Sequence, residues 1–240
     1  MKNTYRDLIE QTFYFPQEGF EVIDNQLHFY GIDLMEIIKQ YGTPLKISYL
    51  PKIGSQIKKA KRIFNVAIAK SDYKGSYTYC YCTKSSHFSF VLHEALKNDI
   101  HLETSSAYDI PIIRSLLNDK KIDKSIYIIC NGFKRPQYID GIAGLINDGF
   151  ENVIPILDNK NELANYEKKI KGRKKVKVGI RIAAEEEPNF EFYTSRLGIR
   201  YDEIVDYYRD HLKKNPRFHT RGIRKIFSHS VSDSFFGPHR

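Results

Sequence analysis

The chain has 240 residues, 41% hydrophobic and 28% charged, so it can bury a sizeable core and is not an intrinsically disordered polymer. Lys and Arg outnumber Asp and Glu by 38 to 29, a net charge of +9, yet no apolar run approaches the roughly 18–20 residues of a membrane span. Nothing apolar follows Met1-Lys2-Asn3-Thr4 to make a secretory signal, and three cysteines (Cys80, Cys82, Cys130) exclude a disulfide framework, so the expected compartment is the reducing cytoplasm.

In chain order, Phe20–Ile23 and Gln26–Phe29 read as a small hairpin. Asp24-Asn25 makes its turn, because both residues tolerate left-handed backbone angles. Ile32 to Tyr41 carries Leu34, Ile37, Ile38 and Tyr41 at helical spacing, and Gly42 stops it. Leu45–Tyr49 reads as a strand and Ile53–Ala69 as its helix. Strand-like runs then alternate with helical ones. The pairs are Ser76–Lys84 with Phe88–Asn98, His101–Thr104 with Ala107–Asn118, and Ser125–Cys130 with Pro136–Asp148. Asn152–Ile156 with Lys160–Ile170 and Val176–Ile182 with Tyr201–Lys213 follow, and a last strand is expected from about Gly222 to His229.

A sustained β-α alternation is solved most simply by parallel strands with crossover helices. The run of about seven such starts predicts a (β/α)8 TIM-barrel type of fold, incomplete at the C-terminus. An open doubly wound sheet is the alternative, but no Gly-rich turn follows the first strand. There is no Walker loop and no His-Glu-x-x-His. The cysteines lack zinc spacing, so no metal is expected, and Cys80 and Cys82 read as small buried residues.

The positive charge concentrates in Lys58–Arg62 and Lys168–Lys177, which read as a solvated helix end and a loop. No RNP-like, KH or helix-turn-helix pattern frames the 17 tyrosines, which leaves nucleic-acid binding as the weaker reading of the charge.

Strand parity singles out one lysine. Thr78, Cys80, Cys82 and Lys84 share one face of their strand, and Tyr77, Tyr79 and Tyr81 the other. If the tyrosines pack outward on helices, Lys84 emerges from the interior face at the strand's C-terminal end, where barrel enzymes keep their chemistry. Partial desolvation there would disfavour the ammonium and free the amine to attack a carbonyl. The competing reading is an exposed strand-end lysine on a basic chain.

Several segments resemble the alanine-racemase-like (fold type III) pyridoxal-phosphate decarboxylases, and among them the biosynthetic arginine decarboxylases. Tyr41-Gly42-Thr43-Pro44-Leu45 is similar to the family's entry to its first barrel strand, and Tyr81-Cys82-Thr83-Lys84 to its Tyr-x-x-Lys. Leu102 to Asp109 is similar to the acidic, Ser-containing segment that follows, and Ile129-Cys130-Asn131-Gly132-Phe133-Lys134 resembles the Cys-Asn-Gly-Tyr-Lys stretch of arginine decarboxylases. Gly179-Ile180-Arg181-Ile182 resembles the family's strand-end arginine, and Ser195-Arg196-Leu197-Gly198 its Ser-Lys-Phe-Gly. The series runs in order from about Phe20 to about Lys225.

The resemblance implies a pyridoxal 5'-phosphate enzyme in which Lys84 carries the cofactor. It implies cofactor contacts from Arg181, Glu103 and His229, the last stacking on the ring. Asp109 is implied as a supporting carboxylate, with helix capping as its alternative, and Arg196 as a residue reaching a partner subunit. The implied reaction is decarboxylation of an amino acid, most closely arginine to agmatine in polyamine biosynthesis, by a homo-oligomer. Ornithine, lysine or diaminopimelate decarboxylation, a single-domain pyridoxal-phosphate carrier and an inactive fragment are the alternatives. Ser85-Ser86 departs from the family's residues after the lysine, and the ending from Ile226 to Arg240 fits none of its motifs. The expected layout is therefore an N-terminal hairpin and helix over 1–43, a partial cofactor-binding barrel over 44–225 and a divergent tail over 226–240. The family's C-terminal β domain is not recognisable, and the chain by itself is not expected to be a competent decarboxylase.

Overall fold

In a computed structural model, the structure describes residues 18–173, 175–183 and 198–220. The chain divides between Tyr49 and Leu50 into two compact units.

The first unit is built on the expected hairpin, strands β1 (Phe20–Ile23) and β2 (Gln26–Phe29) pairing antiparallel. Asp24 and Asn25 take φ of 49° and 64°, the left-handed angles that a tight hairpin requires. A short β3 (Ile32–Asp33) adds to β2 before helix α1 (Leu34–Tyr41). The Asp33 carboxylate accepts from Met35 N at 2.7 Å and Glu36 N at 3.3 Å, satisfying donors that the first helical turn leaves open. Gly42, at φ 80°, ends α1 as expected, its N–H donating to Ile38 O. The expected strand Leu45–Tyr49 is not one: these residues carry no strand pairing. Their alternation of apolar residues is real, but a strand exists only where a neighbour accepts its backbone hydrogen bonds.

The second unit is a parallel sheet with crossover helices. After α2 (Pro51–Lys70) come β4 (Cys80–Cys82), α3 (Ser89–Leu96), β5 (His101–Thr104), α4 (Asp109–Asn118), β6 (Tyr127–Cys130), α5 (Pro136–Asn147), β7 (Asn152–Leu157) and α6 (Glu162–Lys169). Residues 176–180 contribute β8 (Val176–Lys177) and β9 (Gly179–Ile180), and α7 (Tyr201–Tyr207) runs into a π turn, Tyr208–Leu212, before β10 (Phe218–His219). The strand order is β4-β5-β6-β7-β9, all pairs parallel. β8 pairs parallel with β10 in a separate two-stranded sheet while β9 pairs with β7, so one stretch of chain, 176–180, joins the two parallel sheets. The expected strand Ser76–Lys84 shrinks to Cys80–Cys82. The strand expected from Gly222 lies outside the described residues, whereas β10 forms just before it, where none was expected.

Register sorts the side chains. Tyr81, Leu102, Ile128 and Val153 lie side by side across four strands, and so do Cys82, Glu103, Ile129 and Ile154. The first row faces the helices: Leu102 and Ile128 are fully buried with Ile113, Ile142 and Leu145. Tyr79 and Tyr81 pack outward on Ile57, Ala95 and Ile100, the parity expected from the sequence. The second row is only half-buried. One face covered by helices and one inner face with polar residues is the arrangement of a barrel wall rather than of a doubly wound sheet, which is covered on both faces. Cys80 and Cys82 lie on that inner face and are therefore half-exposed, not the buried residues expected; Cys130 is the buried cysteine.

Of the basic clusters, Lys61 is engaged: its Nζ donates to Asn98 O at 3.0 Å and Asp99 O at 2.5 Å, the carbonyls just past α3, where a cation is favoured. Among the described residues no helix is long and apolar enough to cross a membrane, and no cluster of His, Cys, Asp and Glu could hold a metal.

Candidate active site at the strand ends

The C-terminal ends of the parallel strands carry a series of polar side chains. Thr83, just past β4, is fully buried, and both its N–H (3.0 Å) and its hydroxyl (3.1 Å) donate to Glu103 O. This double bond to β5 fixes where the β4 end points. Lys84 follows in a turn closed by Ser85 N donating to Cys82 O at 3.1 Å and braced by Tyr81 Oη donating to Ser86 O at 3.0 Å. Lys84 is exposed. The partial desolvation expected for it is not seen among the described residues.

Glu103 stands on the inner face of β5. Its Oε1 accepts from Asn131 Nδ2 at 3.3 Å and lies 3.6 Å from Cys82 Sγ, so three neighbouring strand ends converge on one carboxylate. Burial, followed by the Glu103 charge, pushes the Cys80 thiol up to about 12 and that of Cys82 to about 11. Neither is therefore a thiolate nucleophile near neutrality.

Asp109 does a different job. It is buried at the start of α4, and its Oδ2 accepts from Ser105 N at 2.8 Å, Ser106 N at 2.9 Å and Ser106 Oγ at 3.2 Å. It shapes the loop between β5 and α4; the helix-capping alternative does not hold, because the N–H groups it accepts from precede the helix and none belongs to its first turn. The adjacent loop is tight as well. Gly132 has φ +81°, and a Cβ there would meet Ser105 O at 2.7 Å. A side chain is excluded by both contact and backbone angle.

Arg181 directly follows β9, its N–H donating to Leu157 O at 3.0 Å, and its Nη1 lies 3.7 Å from Asp158 Oδ1. Asp158 belongs to a buried group that motif reading did not assign. Lys134 Nζ, fully buried, donates to Gly132 O at 2.7 Å and to Ile156 O. It stands 3.7 Å from Asp158 Oδ2 and 3.6 Å from Glu162 Oε2. Glu162 also accepts from Asp158 N at 3.1 Å and Asn159 Nδ2 at 2.9 Å. Burial raises the Glu162 carboxyl to about 7, against the opposing pull of the Lys134 ammonium. Signals for this group existed: Lys134 ends the Cys130-Asn131-Gly132 stretch, and Asp158 and Glu162 are spaced four apart across a strand-to-helix junction. Arg196 and His229 lie outside the described residues.

No family model matches the chain. A search of curated proteins finds the biosynthetic arginine decarboxylase of Prochlorococcus marinus (strain MIT 9303), 27% identical over 118 residues, covering 45% of this chain and 18% of that protein. Among solved structures, diaminopimelate decarboxylase from M. jannaschii in complex with L-lysine superposes with a TM-score of 0.66 at 15% identity. A second structure of that enzyme gives 0.62 at 16%. Both matches cover 85% of this chain but 46% of the decarboxylase, so the chain spans less than half the length of the proteins it matches. The superposition establishes the fold as the parallel barrel type. Over the part of their length that it spans, the chain is similar in fold to these decarboxylases and in sequence, over 118 residues, to the arginine decarboxylase.

Proposed function

We propose that this chain is the cofactor-binding barrel portion of a pyridoxal-phosphate-dependent amino-acid decarboxylase, with arginine as the substrate. One observation carries the reading. Lys84, Glu103 and Arg181, the described residues that the resemblance singles out for the cofactor, all stand on or directly after the C-terminal ends of strands in one parallel sheet. That edge is where barrel enzymes assemble their sites.

The residues fit the group. An exposed primary amine at a strand end can reach an aldehyde, and Arg181 has a partly exposed guanidinium engaged by a single ion pair among the described residues. Lys84 would hold the cofactor, and its turn fixes the approach of the amine. When bound, pyridoxal phosphate supplies the electron sink that decarboxylation requires. Glu103, fixed by Asn131, would set its side-chain oxygens beside the site. Arg181 would orient an anionic group of the ligand. By resemblance alone, His229 would stack on the ring and Arg196 would reach a partner subunit. The preference for arginine rests on the Cys130-Asn131-Gly132-Phe133-Lys134 stretch and the curated relative.

Titration of the purified chain with pyridoxal phosphate tests the cofactor assignment. A saturable one-to-one change in cofactor absorbance, lost in Lys84→Ala, is expected; an unsaturable change shared by Lys84→Ala refutes it. Competition by arginine, ornithine, lysine and diaminopimelate then ranks the substrates. Arginine should perturb the bound cofactor at the lowest concentration, and a flat ranking would overturn the assignment to arginine.

A further inference from the structure

With Glu162 ionised, the buried charges at the ends of β7 and β9 do not balance without Arg181. Lys134 lies between the carboxylates of Asp158 and Glu162, all three side chains at most 2% exposed. One ammonium against two carboxylates leaves a negative charge inside the protein whenever both are ionised, and an unpaired buried charge is costly. Neither oxygen of Asp158 has a hydrogen-bond partner among the described residues. Lys134 stands 3.7 Å from one oxygen and Arg181 3.7 Å from the other. The Arg181 side chain is 31% exposed, and this ion pair engages only part of a guanidinium that carries five N–H donors.

We infer that Asp158 is a positioning residue: its buried carboxylate, neutralised from the protein side by Lys134, holds the Arg181 guanidinium at the strand-end edge, leaving further N–H donors for an anionic ligand. The identity of that ligand rests on the proposed cofactor reading; the anchoring of Arg181 does not. Lys134 is fixed by two backbone carbonyls, Gly132 O in the loop after β6 and Ile156 O in β7, so the ammonium cannot follow Arg181 outward. Asp158 in turn is held at its backbone, its N–H bonded to Glu162 and its carbonyl accepting from Gly198 N at 3.0 Å. The least buried partner is Arg181, and its orientation follows from the carboxylate it answers.

Two measurements test this. In nitrogen-15 NMR of arginine side chains, the Arg181 Nη–H protons should exchange with water about three- to fivefold more slowly than those of the exposed Arg135, the range a partly exposed ion pair provides. Asp158→Asn should bring the two rates together, and Asp158→Glu should restore part of the difference. Equal rates in the unaltered protein overturn the inference, whether or not Asp158→Asn folds. In the second measurement, Asp158→Asn and Arg181→Ala should each weaken pyridoxal phosphate binding by a similar factor, and the double variant should be no weaker than either. Factors that multiply would mean that the two residues act independently and would overturn the positioning role. If the unaltered chain binds no pyridoxal phosphate, the cofactor reading fails, while the NMR comparison still decides the anchor.

Discussion

Replacing Glu162 by Gln should remove a pH dependence of stability that the wild-type chain carries. Burial holds the Glu162 carboxyl near 7 in the folded protein, against about 4.3 in an unfolded chain. Between those values the folded state keeps a proton that the unfolded state has released. The contribution is therefore fully present below the unfolded value and is lost as pH rises through the folded one. The whole span is worth at most about 3–4 kcal/mol, and about 2 kcal/mol of it falls between roughly pH 5.5 and pH 8. Gln cannot ionise, so Glu162→Gln should lack that fall, whatever it loses by meeting the Asp158 N–H and Asn159 amide with only one oxygen. Urea denaturation at both pH values, read as the difference between the two proteins, isolates this group from others such as His101, whose pKa burial lowers. Parallel losses in wild type and Glu162→Gln would refute the reasoning and place the ionised carboxylate in a polar, hydrated setting.

Gly132→Ala should destabilise by about 1–3 kcal/mol, because a positive φ and the Ser105 carbonyl both oppose a Cβ, whereas Gly172→Ala, at φ +72° with open space, should cost less. Tyr138→Phe should cost about 1–3 kcal/mol in chemical denaturation, since the Tyr138 and Thr104 hydroxyls meet at 2.7 Å inside the core and one would be left unpaired. At pH 8 a thiol reagent should react slowly with the folded chain and rapidly with all three cysteines in denaturant, because burial raises the pKa of each thiol. Equal rates would show that the thiols are not protected.

The fold was largely legible because each β-α unit carries its own local signal. His101–Thr104 is found at the predicted bounds, an apolar run ended by turn residues, and the helix from Pro136 differs by one residue at its end. Leu45–Tyr49 and Ser76–Tyr79 were misread for one reason: β propensity describes a residue, while a strand is a relation between two segments. Cys80 and Cys82 were expected to be buried because small apolar residues usually are, but parity alone places them on the half-open inner face.

The place of Lys84 near the end of β4 was legible from parity, but its exposure was not, since exposure depends on what lies above the turn. The sequence offers the stretch that Lys134 ends and the spacing of Asp158 and Glu162 as separate signals, and nothing in it joins the two. Only the parallel register, which sets the loop after β6 beside the end of β7, brings them together. Asp109 shows the opposite case, a residue singled out by motif whose carboxylate closes a local turn.

The central claim is that Lys84 at the end of β4 is the residue that holds the cofactor. Borohydride reduction of the chain with one equivalent of pyridoxal phosphate, followed by peptide mapping, tests it directly. The account predicts a single dominant adduct on the peptide containing Lys84. Label distributed over the many exposed lysines, unchanged in Lys84→Ala, would contradict it.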